Sequence, residues 1–587
     1  MRAKILILLL VAGTMALYWP VRHFDFIFLD DAYFVDNPGV LAGLRWHTIK
    51  WAMTDIVFKD WHPVTLLSFL LTHQLFGINQ GAEHLVNVEF HAANTVLLFL
   101  LLLRSTEATW RSAIVAAFFA WHPLRVESVC WVAERRDVLF VFFMLLSLLC
   151  YVEYVRRRKE VKAGSQLWNL PYLFALIFFI LSFMSKGMVA TLPCLLLLLD
   201  IWPLQRFSWG SIRSLVLEKV PFFVLTVFFS GLTFWIHKKY GDLLSWSDLT
   251  MTWRLENAIW SYFKYLAELL WPVNLAALYP YAKSFDPVQI TLAGLLLLAV
   301  TVLCLLELSR RPYLAVGWFW YLGTLFPVIG LLQFGVSPVG DRFTYIPLIG
   351  PLISLVWLVS EWAQARLLQK YITVSLAGIV LLIFTVLARA QIMAWQNTMT
   401  LFQHTVEVTS ENAFAHLPLG IALEEQGQWR LSAVQLQVGI AEDYRGIEYK
   451  LEYYHLGGVQ LHLGLYREGL KDFELALQFG PGRPDSINGL ARLLATCPDA
   501  SIRNGPRAVQ LAQRACEETN YRKANMLGTL AAAYAETGQY DQAIAMAQKA
   551  IVVAGEDSQP AWAQANQERL KYYLAHRPYH GVSMDQY

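Results

Sequence analysis

The loop after an opening apolar run reads FDFIFLDDAYFVDNPGV, residues 24–40, and carries two adjacent acids, Asp30 and Asp31. A pair of carboxylates can divide labour: one accepts a proton from an attacking hydroxyl while the other orients it or binds a metal ion. Asn37-Pro38-Gly39 supplies a turn that can fold the loop back. Adjacent acids are also common in solvated loops, so spacing alone leaves that plain reading open. A second charged stretch, HPLRVESVCWVAERRD, holds His122, Arg125, Glu127, Glu134, Arg135, Arg136 and Asp137. Arginine binds phosphate as a planar, permanently charged fork, so this cluster suits an anionic partner beside a membrane. Simple interfacial anchoring is the alternative. Trp61-His62-Pro63 recurs as Trp121-His122-Pro123, and Ser185-Lys186 and Asp341-Arg342 add further polar groups. His84, Asn87, His91 and Asn94 follow one another at helical spacing and share one stripe. Such a stripe serves either a substrate or hydrogen bonds between helices. Glu89 lies off it.

These residues must be positioned by membrane helices. The chain is 56% hydrophobic and 16% charged, with a mean hydropathy of +0.41; soluble proteins average about 25% charged residues. A net charge of +2 without a basic face excludes a nucleic-acid binder. The six cysteines lack CxxC spacing, which suggests neither a zinc site nor a disulfide framework. Cys497 and Cys516 read as two small buried thiols held apart by antiparallel helices. A bilayer core asks for about 20 apolar residues per helix. Candidate stretches run at 4–20, 84–103, 112–124, 137–155, 170–185, 187–204, 219–236, 288–307, 313–332, 343–360 and 371–388. The expected fold class is all-α: a polytopic membrane helix bundle with about eleven spans, followed by an α-solenoid.

Orientation follows from Lys and Arg in the loops. Arg156, Arg157, Arg158, Lys159 and Lys162 form the densest cluster, and Arg104, Arg111, Arg206, Arg213, Lys219, Arg310, Arg311, Arg366 and Lys370 fall on the same side. With the N-terminus cytoplasmic, all of these lie inside. That requires residues 250–280 to lie on the outer surface as an interfacial helix, and residues 61–77 to behave alike. The acidic pair, both Trp-His-Pro motifs and the arginine-rich stretch then face outward. The run after Arg2 and Lys4 ends in Leu-Tyr-Trp-Pro without a small-residue cleavage site, and reads as an uncleaved first span.

The chain divides into a membrane domain, residues 1–390, with its first outer loop at 21–62, and a repeat domain, residues 391–587. About four tetratricopeptide-type (TPR) units fill 412–556. The clearest holds Gly457, Gly464, Tyr466, Gly469, Phe473, Ala476 and Pro481; another holds Ala531, Tyr534, Gly538, Tyr540, Ala543, Ala547 and Ala550. A weaker copy is marked by Gly420, Gly427 and Trp429, and 485–519 is divergent. Small residues stand where two helices cross closely. Such an array is either a plain solenoid or a groove for a peptide or protein partner.

LDDAYFVDNPGV, WHPVTLLSFLLTHQLFG, HLVNVEFHAANTVLLFLL, HPLRVESVCWVAERRDVL and SPVGDRFTYIPLIG together resemble the transmembrane and tetratricopeptide-repeat (TMTC) group and its bacterial relatives. These are similar to the GT-C glycosyltransferase superfamily, which includes protein O-mannosyltransferases. The resemblance covers nearly the whole chain and implies transfer of a sugar from a polyprenyl-phosphate donor to an extracytoplasmic acceptor, with protein Ser/Thr hydroxyls foremost. It places the catalytic acids at Asp30 and Asp31, and the donor phosphate at Arg135, Arg136 and Arg342. His62, His84, Asn87, His91, His122, Glu127, Glu134, Asp137 and Asp341 then support the site or face the acceptor. A divalent metal ion is an open expectation, with His62, His122 and the aspartates as its ligands. The implied partners are the lipid-linked donor, a protein or peptide in the TPR groove, and membrane lipids. The expected home is a bacterial plasma membrane, with the TPR domain extracytoplasmic. Two other readings remain: transfer to a lipid-linked or cell-surface glycan, and a non-catalytic TPR membrane scaffold.

Overall fold

The computed structural model describes residues 1–28, 30, 37–57, 60–160, 170–240, 249–331, 337–364, 367–443, 449–556 and 559–581. Among them the chain is helical, with a single isolated β-bridge between Val57 and Asp60. It divides into two compact units, Met1–Val408 and Thr409–Tyr587.

In the first unit the longer helices are α1 (Arg2–Tyr18), α2 (Pro63–Phe76), α3 (Gln80–Thr106), α4 (Thr109–Trp121), α5 (Arg135–Glu160), α6 (Leu170–Phe183), α7 (Leu192–Ile201), α8 (Ile212–Tyr240), α9 (Met251–Leu270), α10 (Pro287–Leu306), α11 (Pro312–Leu325), α12 (Ile349–Ala363), α13 (Leu367–Ala394) and α14 (Thr398–Val408). Among the described residues six helical stretches are long and apolar enough to cross a membrane, built on α1, α3, α5, α8, α10 and α13. A seventh is the bent pair of α4 with Pro123–Cys130, broken by 63°. The bend has a local cause, because His122 precedes Pro123 and takes extended dihedrals. The expected spans near 170–185, 187–204, 313–332 and 343–360 appear as shorter apolar helices, 14 residues in α6 and 15 in α12. Fourteen residues rise only about 21 Å, less than a bilayer core.

The centre of this unit is α3 packed on α5, α1 and α4. Asn79 caps α3 by accepting from the Ala82 amide at 3.0 Å, and Glu107 closes it in the left-handed region at φ 58°. The α11–α12 crossing is set by Gly317 and Gly350: a Cβ at Gly350 would lie 2.1 Å from the Gly317 carbonyl oxygen. Only glycine permits such an approach. The helix expected at 250–280 forms as α9, with Arg254, Asn257, Ala258, Ser261, Tyr265 and Leu269 buried along one stripe.

At the far end of α5 lies an ion network. The Arg206 guanidinium binds Asp200 at 2.9 Å and Glu218 at 2.8 Å, and Arg158 reaches Glu218 at 2.7 Å. Lys219 pairs with both acids, and the Tyr151 hydroxyl donates within this group. These contacts lock α5, α7 and α8 together.

In the second unit the described residues form four helix pairs and a final helix, Pro560–Leu574. Gly427, Gly464 and Gly538 take φ of 71–77° at three of the intra-pair turns, where side chains are strained. The divergent copy replaces that turn with a longer link, closed by Asn504 capping the Arg507 amide at 3.1 Å. Close crossing explains the small residues: a Cβ on Gly457 would stand 3.0 Å from Phe473. Cys497 and Cys516 are buried free thiols.

Candidate active site

The described acid of the pair, Asp30, is fully buried. One carboxylate oxygen accepts the Ala133 amide at 2.8 Å and the other the Ile27 amide at 3.3 Å. Asp30 therefore fastens the first loop to the tight turn Val132–Glu134 that leads into α5. Asp31 lies outside the described residues.

Successive side chains on a helix diverge by about 100°, and this separates the two adjacent arginines. Arg135 points inward and is fully buried. Its Nε donates to Asn87 at 2.9 Å, its Nη1 to Thr72 at 2.9 Å, and its Nη2 to the Glu83 carboxylate at 2.6 Å and carbonyl at 2.7 Å. The ring of Phe69 packs on its face at 4.6 Å. Although expected at a lipid phosphate, Arg135 is instead engaged on all sides by its own chain. Arg136 points the other way, 21% exposed, and grips Glu134 at 2.6 and 3.0 Å.

Glu134 is a hub. Besides Arg136 it meets Lys186 at 3.0 Å and Arg342 at 3.4 Å. Lys186 also pairs with Asp137, which accepts from Ser128 at 3.1 Å. Arg342 pairs with Glu127 through its guanidinium, donates its own amide to the same carboxylate at 2.7 Å, and packs against Trp131 at 5.3 Å. Burial works against its charge, yet Glu127 and Glu134 outweigh it and hold the Arg342 pKa up. Asp341, next in chain, is buried and accepts from the Tyr279 hydroxyl at 2.7 Å. Its carboxyl is pushed well above the usual range by burial, then by Glu268 and Glu127.

Three cations and three acids from four separate stretches thus converge. Asp60 extends the group: its carboxylate stands 3.9 Å from Arg136 and 4.0 Å from His62. Burial pushes the His62 pKa down to about 4, against the pull of Asp60. Sequence reading missed Asp60, although it directly precedes the Trp-His-Pro motif that it serves.

The α3 stripe resolves into hydrogen bonds within the fold. His84 meets the Asp25 carbonyl at 3.2 Å and Asn87 donates to the Trp131 carbonyl at 3.0 Å. His91 contacts the Tyr345 hydroxyl at 2.6 Å and the Ala120 carbonyl at 3.0 Å, and Asn94 donates to the Val138 carbonyl at 2.8 Å. His122 joins the Leu269 carbonyl at 3.0 Å and accepts from the Leu124 amide at 3.2 Å. Each of the five side chains thus makes at least one hydrogen bond within the fold. Glu89 is exposed. Among the described residues no three His, Cys, Asp or Glu side chains gather to hold a metal ion.

Human protein O-mannosyl-transferase TMTC4 is 25% identical to the chain over 478 residues, 71% of this chain and 64% of that protein. The chain is similar to the TMTC protein O-mannosyl-transferases. Mouse TMTC2 is 32% identical over 151 residues, covering 24% of the chain, and mouse TMTC3 30% over 152 residues, covering 25%. The chain spans 64% of TMTC4's length, and its matches cover 18% of TMTC2 and 16% of TMTC3. No family model matches. Among solved structures, the TPR domain of P58(IPK) aligns with 72% of the chain at a TM-score of 0.20 and 11% identity, too low to carry an argument.

Proposed function

We propose that this multi-pass membrane protein is a GT-C glycosyltransferase that moves a sugar from a polyprenyl phosphate to hydroxyls of protein acceptors. The observation that carries this reading is the cation group around Glu134: Arg136 and Arg342 are partly exposed, at 21% and 13%, with Lys186 behind them. Guanidinium groups held by carboxylates are fixed in place before a phosphate arrives, which lowers the cost of binding its charge. The naming of the TMTC relatives as protein O-mannosyl-transferases supports the same chemistry.

In the proposed step Asp31 is the base and Asp30 holds the loop that presents it. The acceptor oxygen attacks the anomeric carbon from the face opposite the phosphate. The bond from that carbon to the phosphate oxygen breaks, and the polyprenyl phosphate leaves with the bonding pair toward Arg136 and Arg342. The hydroxyl proton passes to Asp31, and the configuration inverts. The TPR unit recruits the protein acceptor. The N-terminus lies in the cytoplasm of a bacterium, with the reaction on the outer face of its plasma membrane.

The test is transfer in nanodiscs from a panel of radiolabelled polyprenyl-phosphate sugars, mannose among them, to envelope extract. Label moving to protein bands in wild type and lost in Asp31→Asn supports the reading. Label moving only to glycolipid would replace the acceptor. No transfer from a folded preparation with any donor leaves the scaffold in its place.

A further inference from the structure

Arg125 is a buried cation that forms no ion pair among the described residues. It is fully enclosed and lies in the short segment between α4 and α5. One nitrogen, Nη1, donates to the Thr344 carbonyl at 2.8 Å. Among the described residues neither Nε nor Nη2 finds a hydrogen-bond partner; the acid within electrostatic reach is Asp341, whose own carboxyl burial pushes well above the usual range. Its flat faces meet the rings of Phe119 at 5.4 Å and Tyr345 at 5.6 Å. The Tyr18 hydroxyl at the end of α1 is also fully buried, also lacks a partner among the described residues, and lies within electrostatic reach of Arg125.

The orphaned groups are N–H donors and one hydroxyl that can donate, wrapped in aromatic rings. Unpaired buried donors are costly, and an uncompensated buried charge more so. Water would satisfy the donors and leave the charge. A monovalent anion satisfies both. We propose that Arg125 and Tyr18 hold a small monovalent anion, chloride under cellular conditions. The complete enclosure of both side chains excludes a lipid headgroup. The anion also has structural reach, because Arg125 ties the segment bearing Glu127 to the segment bearing Arg342, whose ion pair borders the candidate active site.

The test uses the full chain in detergent, with chloride, bromide or gluconate as sodium salts at constant ionic strength. Chloride and bromide should raise the melting temperature saturably while gluconate does not, since a ligand that binds the folded state stabilises it by mass action. Tyr18→Phe should move the chloride midpoint up by about tenfold, the effect of losing one hydrogen bond to an ion. Arg125→Gln should abolish the dependence, and Tyr18→Phe keeps the test open if that variant does not fold. Crystals grown in bromide should give an anomalous peak between the two side chains. Equal melting in all three salts, an unaltered midpoint in Tyr18→Phe, or bromide crystals without that peak would each overturn the proposal.

Discussion

Arg135 and Arg136 are neighbours of the same type, yet one is enclosed by the fold and the other is partly exposed. Nothing in the dipeptide says which is which; the partners do, and they lie 48 to 63 residues away in Asn87, Glu83 and Thr72. The same holds for Asp30, whose acidic-pair signature was legible although its bond to the Ala133 amide was not. Removing one member of a buried ion pair typically costs about 3–5 kcal/mol. Arg135→Gln should therefore lower the melting temperature or prevent folding, whereas Arg136→Gln should lower it less, because Arg136 is partly exposed and Lys186 and Arg342 still hold Glu134. Thermal unfolding in detergent separates them. His62 gives a pH signature. Its folded pKa, about 4, lies below the ordinary histidine value of about 6.5, so between these values the unfolded chain binds more protons. Stability should fall as pH drops through that window, and His62→Gln should flatten this part of the melting-temperature profile.

At the scale of elements, apolar length and the repeat pattern were legible, and element ends were not. The stripe on α3 followed from spacing alone; its bonds to the carbonyls of Trp131, Val138 and Ala120 did not, because those partners lie 29 to 44 residues away. The Trp-His-Pro motifs are helix entries: Pro63 opens α2 and Pro123 a short turn, which fixes each histidine at a helix boundary. Close helix crossings likewise escape a single sequence, since Gly317, Gly323 and Gly350 look alike. A Cβ at Gly317 would meet the Gly350 carbonyl oxygen at 2.4 Å, while one at Gly323 meets nothing within 4 Å. Gly317→Val should therefore destabilise the protein by about 1–3 kcal/mol or more through overpacking. Gly323→Ala should be neutral or slightly stabilising, as helix propensity predicts. Melting curves of the two variants check the crossing directly.

For the whole molecule, charge distribution along the chain carries the proposed orientation, with Arg156–Arg158 inside and the Glu134 group outside. The TPR unit then faces the acceptor side. Ser501, in an exposed turn of that unit, supplies a handle: Ser501→Cys should react with a membrane-impermeant maleimide in intact cells, and Gly210→Cys, between α7 and α8, only after permeabilisation. The reverse pattern would invert the topology.

The most direct test of the account is the affinity of purified protein in nanodiscs for a labelled polyprenyl-phosphate sugar, measured on wild type, Arg342→Gln and Arg158→Gln. Arg342→Gln should bind at least about tenfold more weakly, the loss expected for one charge-assisted contact. Arg158→Gln, at the opposite end of α5, should bind like wild type. Equal binding by all three, from preparations with matching melting curves, would contradict the placement of the donor phosphate at the Glu134 group.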